Sequence, residues 1–229
     1  EEDINRIIGA FAQAARRAQE AGLDGVQLHG AHGYLISQFL MPSTNLRDDA
    51  WGGDAGRRQA FLKEVVAAIR AQVGDSYPLW IKLGVASDAE HGLTAIGGAK
   101  VAAACADWGI DAIEVSNALG VPEDIDLKND GAYVPLARVV RQAVSPSYPL
   151  AAVNGFRTPE AAEQALIRGT AQMISLCRPL IAEPDLAKRW QAGKTEPVAC
   201  VRCGRCWPDR AGQGVDCHNA QVRKRLRQG

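Results

Sequence analysis

Short apolar, β-branched runs alternate along this chain with longer stretches of helical periodicity, and that alternation is its strongest constraint. The first helix carries Ile4, Ile7, Ile8, Phe11, Ala15 and Ala18 on one stripe and stops at Gly22. A strand is expected at Gly25-Val26-Gln27-Leu28-His29. A helix from Ala55 to Val73 follows, with Phe61, Leu62, Val65, Val66 and Ile69 on its inner face. The pattern then repeats: strand Leu79–Leu83, helix Ile96–Trp108, strand Asp111–Ser116, helix Leu136–Val144, strand Pro149–Val153. Thr158-Pro159-Glu160 has the chemistry of a helix start, a hydroxyl cap with proline at the first position and an acid near the positive end. A last strand, Gln172–Leu176, and a helix from Asp185 to Gln191 closed by Gly193 complete the series. No hairpin turn separates the strands, so they should run parallel with helical crossovers.

Two α/β architectures satisfy that order: an open doubly wound sheet, or about the last five units of a (β/α)8 TIM barrel. No Gly-x-Gly-x-x-Gly follows the first strand, which weighs against a dinucleotide-binding Rossmann unit. Polar and glycine residues gather just past the C-terminal ends of several strands, where barrels build their active sites. The barrel is therefore expected over residues 1–196, with a cysteine-rich, basic extension over residues 197–229. The apolar fraction of 47% over 229 residues excludes intrinsic disorder. No apolar run approaches the ~20 residues of a membrane span. The opening Glu1-Glu2-Asp3 lacks the basic, apolar lead of a signal peptide, so a cytoplasmic location is expected. A helix beginning at once, in a barrel short of strands, suggests a chain cut from something longer, and open apolar edges would favour association with a second copy.

The first strand ends in His29-Gly30-Ala31-His32-Gly33-Tyr34. Two imidazoles at a strand end can aim at one carbonyl oxygen and stabilise charge developing there, with Tyr34 near enough to donate a proton. The alternatives are satisfied structural histidines, or a zinc pair that lacks a nearby third ligand. Lys82 lies inside the apolar strand Trp80-Ile81-Lys82-Leu83-Gly84 and needs a partner, such as Glu114, if it points inward. Phosphate binding is expected after the last two strands, at Val153-Asn154-Gly155-Phe156 and Leu176-Cys177-Arg178-Pro179. Backbone N–H groups, the fork of Arg178 and a helix end would serve it there. Cys105 and Cys177 sit in apolar stretches, where cysteine is by default a small buried hydrophobe.

The tail reads Cys200-x2-Cys203-x2-Cys206-x10-Cys217, a spacing suited to zinc or a [4Fe–4S] cluster and equally to free thiols. From Lys188 onward ten basic residues stand against Glu196, Asp209 and Asp216. Without interleaved aromatics this reads as a solvated tail rather than a nucleic-acid surface. The net charge of the whole chain is zero.

The run Gly25 to Gly53, GVQLHGAHGYLISQFLMPSTNLRDDAWGG, resembles the signature segment of the old yellow enzymes, the flavin-dependent NADH:flavin oxidoreductases and ene-reductases. The likeness continues through Arg58, Phe61 and the later strands. It implies a barrel whose strands four to eight are present, with FMN as cofactor and NAD(P)H as electron donor. The substrate implied is a small electrophile such as an α,β-unsaturated carbonyl, which receives hydride by way of FMN. His29 and His32 would bind the activating oxygen, Tyr34 would protonate the α-carbon, and Lys82 would stand against the pyrimidine edge of the flavin. Asn154, Gly155, Cys177 and Arg178 fall at the phosphate positions, where the family usually has Gly-Gly and Gly-Arg. Asn45, Arg47 and Arg58 match polar positions of a loop over Pro42–Gly53 and are expected to serve as structural hydrogen-bonders. Met41 and Gly56-Arg57 depart from the family, where a serine and an acid–asparagine pair are usual. Some dienoyl-CoA-reductase-like relatives hold an iron–sulfur cluster on a similar cysteine segment, with a second gap and a final gap longer than here. A flavin-free phosphate-binding barrel, an inactive fragment and a zinc-binding interaction module are the rival readings.

Overall fold

The computed structural model describes residues 1–207 and 214–227. Its strands are β1 (Val26–Gly30), β2 (Leu79–Gly84), β3 (Ala112–Ser116), β4 (Leu150–Val153) and β5 (Met173–Ser175). They form one parallel sheet in the order β1-β2-β3-β4-β5. A doubly wound sheet reverses its strand order at a switch point, whereas a barrel adds each strand beside the last. The unbroken sequential order therefore decides between the two architectures. β1 and β5 are the edge strands.

The crossovers are α1 (Glu2–Glu20), α2 (Leu35–Leu40), α3 (Ala60–Val73), α4 (Ala95–Asp107), α5 (Val134–Ala143) and α6 (Pro159–Ile167), followed by α7 (Arg178–Ala182), α8 (Leu186–Gln191) and α9 (Ala220–Leu226). The short α2, α7 and α9 are not among the helices expected from the sequence. α1 buries Ile4, Ile8, Ala12 and Ala15, one stripe at helical spacing, against α3. The ring of Phe61 joins them, edge-on to Phe11 at 6.4 Å and stacked on Phe39 at 4.2 Å.

The alternation of each strand sorts its side chains onto two unlike faces. Leu28, Ile81, Leu83, Ile113, Val115, Leu150 and Ala152 are buried in the core formed with the helices. The opposite face carries Gln27, His29, Lys82, Glu114, Ser116 and Ser175, and it faces the interior of the arc. Close approach of a helix to the sheet is set by Gly98 in α4, where an added Cβ would lie 2.0 Å from the Val85 carbonyl oxygen.

One device recurs at the N-terminal end of the sheet. Asp111, just before β3, accepts from the Leu79 N–H of β2 (2.7 Å) and from Arg70 of α3 (2.8 Å). Gln172, just before β5, accepts from the Leu150 N–H of β4 (3.0 Å) and from Arg141 of α5 (2.7 Å). Each satisfies a strand-start donor and ties the preceding helix to it, which leaves the other end of the sheet free for function.

Candidate active site

Beyond β1 the chain turns out through two left-handed residues, His32 (φ 59°) and Gly33 (φ 73°). Their N–H groups donate to the carbonyls of Asn117 (3.2 Å) and Ala118 (2.5 Å), just past β3. The histidine loop thus leans across the end of β2. His29, still on the strand, accepts at Nδ1 from the Ala31 N–H at 3.3 Å. A neutral ring that accepts at Nδ1 carries its proton on Nε2 and can donate it outward. His32 shares its Nε2 with Ser116 Oγ at 2.9 Å. The two imidazoles meet edge to face with ring centroids 5.0 Å apart, and the Tyr34 ring lies 4.8 Å from that of His29. Burial, reinforced by the Lys82 charge, holds both imidazoles below the usual histidine range. They are neutral at neutral pH, which suits hydrogen-bond donation to an uncharged carbonyl. Tyr34 is 60% exposed, so its hydroxyl is open to a ligand.

Behind the histidines, β-register sets His29, Lys82 and Glu114 side by side on adjacent strands. Lys82 Nζ pairs with Glu114 Oε1, which also accepts from Ser175 Oγ at 3.0 Å, while Oε2 accepts from Gln27 Nε2 at 3.1 Å. Burial alone would push the Glu114 carboxyl up, but Lys82, Ser175 and Gln27 together hold it below the usual glutamate range. The interior partner expected for Lys82 is therefore present, and Lys82 also lines the neighbouring cavity.

That cavity, about 320 Å³, opens at the C-terminal ends of β3, β4 and β5. It brings together His32, Lys82, Asn154, Gly155, Cys177 and Arg178; His29 stands beside it against His32, and Tyr34 against His29. Asn154 adopts φ 72° and Gly155 φ 88°. Asparagine is among the few side chains that tolerate the left-handed region, which is how Asn154 occupies a position where the family favours glycine. At Gly155 an added Cβ would sit 2.8 Å from the Ala132 nitrogen, so this turn is tight as well as left-handed. Arg178 reaches across from the end of β5 to donate to Asn154 Oδ1 at 3.4 Å. The helix it opens is five residues long, so the guanidinium and the tight turn, rather than a helix end, make this an anion-favouring corner. A concave space with a cation at its base and an arginine over a glycine turn suits a ligand that carries a phosphate.

One expectation changes. Cys177 is exposed rather than buried, because it caps α7 after the chain has left the sheet, and it forms cavity wall. Cys105 is fully buried, which pushes its thiol up to about 12. Among the described residues no group of three or more histidine, cysteine or acidic side chains takes a metal-holding arrangement. Cys200 turns into the cavity wall, Cys203 is exposed and accepts from Asn219 Nδ2 at 3.3 Å, and Cys206 and Cys217 are buried. Burial, with Cys200, Cys217 and Cys203 near it, pushes the Cys206 thiol up. Residues 208–213, between Cys206 and Cys217, lie outside the described residues. In the loop after β1, Asn45 Nδ2 donates to the Phe39 and Trp51 carbonyls, each at 2.7 Å, and Arg58 donates to the Gly53 carbonyl at 3.1 Å. Arg47 pairs with Asp49. All three have the structural role expected of them. Sequence reading missed Gln27, Ser116, Ser175, Arg157 and Arg202, whose roles depend on neighbours far away in the chain.

A model of the NADH:flavin oxidoreductase / NADH oxidase family matches residues 1–196. The chain belongs to that family. As a member of the NADH:flavin oxidoreductase family it is 40% identical over 208 residues to a metal reductase of Desulforamulus reducens, covering 89% of this chain and 31% of that protein. A solved 2-naphthoyl-CoA reductase complex superposes with a TM-score of 0.80 at 31% identity, over 86% of this chain and 31% of that one. The old yellow enzyme homologue of Zymomonas mobilis superposes with a TM-score of 0.68 at 28% identity, over 87% of this chain and 55% of that one. The five-stranded sheet is thus part of an old-yellow-enzyme-like barrel. This family member spans about a third of the metal reductase it matches. Among the described residues no helix is long and apolar enough to cross a membrane.

Proposed function

We propose that this chain forms the flavin- and substrate-facing part of an FMN-dependent oxidoreductase that uses NAD(P)H to reduce an α,β-unsaturated carbonyl or a similar small electrophile. The observation that carries the reading is continuity: the His29–His32–Tyr34 cluster abuts, through His32, the cavity that holds Lys82, Asn154 and Arg178. Residues 1–196 make up the barrel portion in this reading, and 197–229 the extension.

FMN bound in the cavity would supply the two-electron chemistry, accepting hydride from NAD(P)H and giving it to the electrophile's β-carbon. Lys82, whose charge Glu114 keeps in place, would hold the flavin's pyrimidine edge and favour its anionic reduced form. The Asn154–Gly155 turn and Arg178 hold the phosphate, assisted by Cys177 only as wall. His29 donates from Nε2 to the substrate's carbonyl oxygen. His32 adds a second donor in the tautomer that accepts from the Ser116 hydroxyl at Nε2 and carries its proton on Nδ1, which takes that hydroxyl from Asn117 Oδ1. Two donors on that oxygen stabilise the negative charge that grows as the carbon–carbon double bond is reduced. Tyr34, exposed on the same side, delivers a proton to the α-carbon.

The test is flavin content and enone turnover in the purified protein. A yellow protein whose reduced form is reoxidised by cyclohexenone, and loses that ability in a His29→Ala, His32→Ala double variant, supports the reading. Unchanged reoxidation in the double variant refutes the histidine roles, and a colourless protein that takes up no FMN refutes the whole. Metal binding at Cys200, Cys203, Cys206 and Cys217 is answered separately by iron, sulfide and zinc analysis. One ion or cluster per chain supports a metal site there, and none refutes it.

A further inference from the structure

Three guanidinium groups gather at the β4–β5 end of the cavity from separate parts of the chain. Arg157 follows β4, Arg178 follows β5, and Arg202 arrives on the segment after α8, outside the residues 1–196 that the family model matches. That segment is pinned. The Val198 N–H donates to the Arg157 carbonyl at 2.8 Å, and the Ala199 N–H donates to Oε2 of the buried Glu183 at 2.5 Å. Arg189 bridges Glu183 and Glu196, which fixes the approach. So tethered, Val198, Cys200 and Arg202 become cavity wall.

Arg202 stands out in two ways. Its Nη1 is buried and makes no hydrogen bond, although nearly all buried polar groups are paired. Its backbone sits at φ 55°, where a side chain is strained and glycine is not. Arg157 and Arg178 line the same end of the cavity and face its guanidinium. Asp130 faces the group too, its oxygens accepting from the Arg157 N–H (2.7 Å) and from Thr158 Oγ1 (2.8 Å), so one carboxylate stands against three guanidinium groups. Like charges converging around an unused donor are at rest only with an anion between them. Strain maintained at a cavity wall points the same way.

We infer that Arg202 closes the phosphate subsite of the cofactor cavity, so that the terminal phosphate of FMN is gripped by Arg157, Arg178 and Arg202 over the Asn154–Gly155 turn. The inference rests on the flavin reading above and extends it. The extension beyond residue 196 becomes part of the cofactor site, and its folding and cofactor binding are coupled.

FMN and riboflavin share a ring system and differ by the phosphate, which gives the test. Each is titrated into the protein and followed by quenching of flavin fluorescence. The parent protein should bind FMN more tightly than riboflavin. Arg202→Gly should weaken FMN by about tenfold to a hundredfold and leave riboflavin unchanged. Because glycine adopts φ 55° without strain, the same variant should melt at the same temperature or higher, so affinity falls while stability does not. Arg202→Lys, which keeps the charge but not the fork, should lie between. Unchanged FMN affinity in Arg202→Gly overturns the inference and leaves the flavin site standing. So does an equal loss for both flavins, or a parent protein that binds the two alike. A parent protein that binds neither overturns the flavin reading itself.

Discussion

Replacing Glu114 by glutamine tests the interior network directly, because the new side chain has the same size and loses the charge together with the acceptor that Gln27 uses. Glu114 and Lys82 have side-chain exposures of 10% and 20%, so the variant leaves a mostly buried ammonium without its counter-charge. Breaking a fully buried ion pair from one side costs about 3–5 kcal/mol. Lys82 keeps a fifth of its exposure and borders the cavity, so solvent screens part of that, and about 2–3 kcal/mol is expected. The Ser175 bond to Oε1 can pass to the amide oxygen, so the loss is mainly electrostatic. With a urea m-value of about 2 kcal/mol/M, the midpoint should fall by roughly 1–1.5 M at pH 7. The pH dependence carries a sign. The folded Glu114 carboxyl lies below its ordinary value of 4.5, so its contribution is complete above pH 4.5 and is lost as pH falls through the lower folded value. The gap between parent and variant should therefore close in acid. A second arm, Lys82→Met with Glu114→Leu, should recover much of the loss, since an apolar pair leaves no charge unpaired. A midpoint change under about 0.3 M at pH 7, or a gap that widens in acid, would refute the argument.

His29→Ala should weaken binding of a small carbonyl ligand by about fivefold to tenfold without unfolding the protein, checked by ligand titration beside a melting curve; His29 is exposed, so its loss leaves no cavity. Both imidazoles titrate below 6.5, so stability they contribute while neutral is complete above pH 6.5 and falls away in acid; ring-proton NMR titration should give folded values under 6.5 for both. Asn154→Val, forced to φ 72°, should cost about 1–2 kcal/mol, whereas Asn154→Gly should cost little, read from melting temperatures. Gly98→Ala should destabilise by about 3 kcal/mol or more, because its methyl group meets the Val85 backbone, which cannot rotate away; a shift of under 2 °C would refute that.

The five parallel strands, their sequence order of crossovers and most helix limits could be read directly, because a period of two or of 3.6 residues is a local property. So could the histidines and Tyr34 at the end of β1, and Asn154 and Arg178 after β4 and β5, since strand ends in a barrel all open to one face. Motif resemblance added the identity of the cofactor. The metal expectation for the four cysteines came from spacing and from the cluster-bearing relatives. Spacing says nothing of direction, and one of them turns into the cavity while another stays exposed.

What tertiary structure alone decided are the pairings between distant segments. Glu114 meets Lys82, Gln27 and Ser175 only because the β1-β2-β3-β4-β5 register brings them to one face. Ser116 reaches His32 only because the loop after β1 leans over β2 onto β3. Arg202 reaches the cavity only because Glu183 and the Arg157 carbonyl hold its segment there. The physical reason is the range of the forces involved. Propensity and periodicity act between residues a few places apart, while ion pairs and shared hydrogen bonds act between whichever groups the fold brings within about 3–4 Å, and no local pattern encodes that distance.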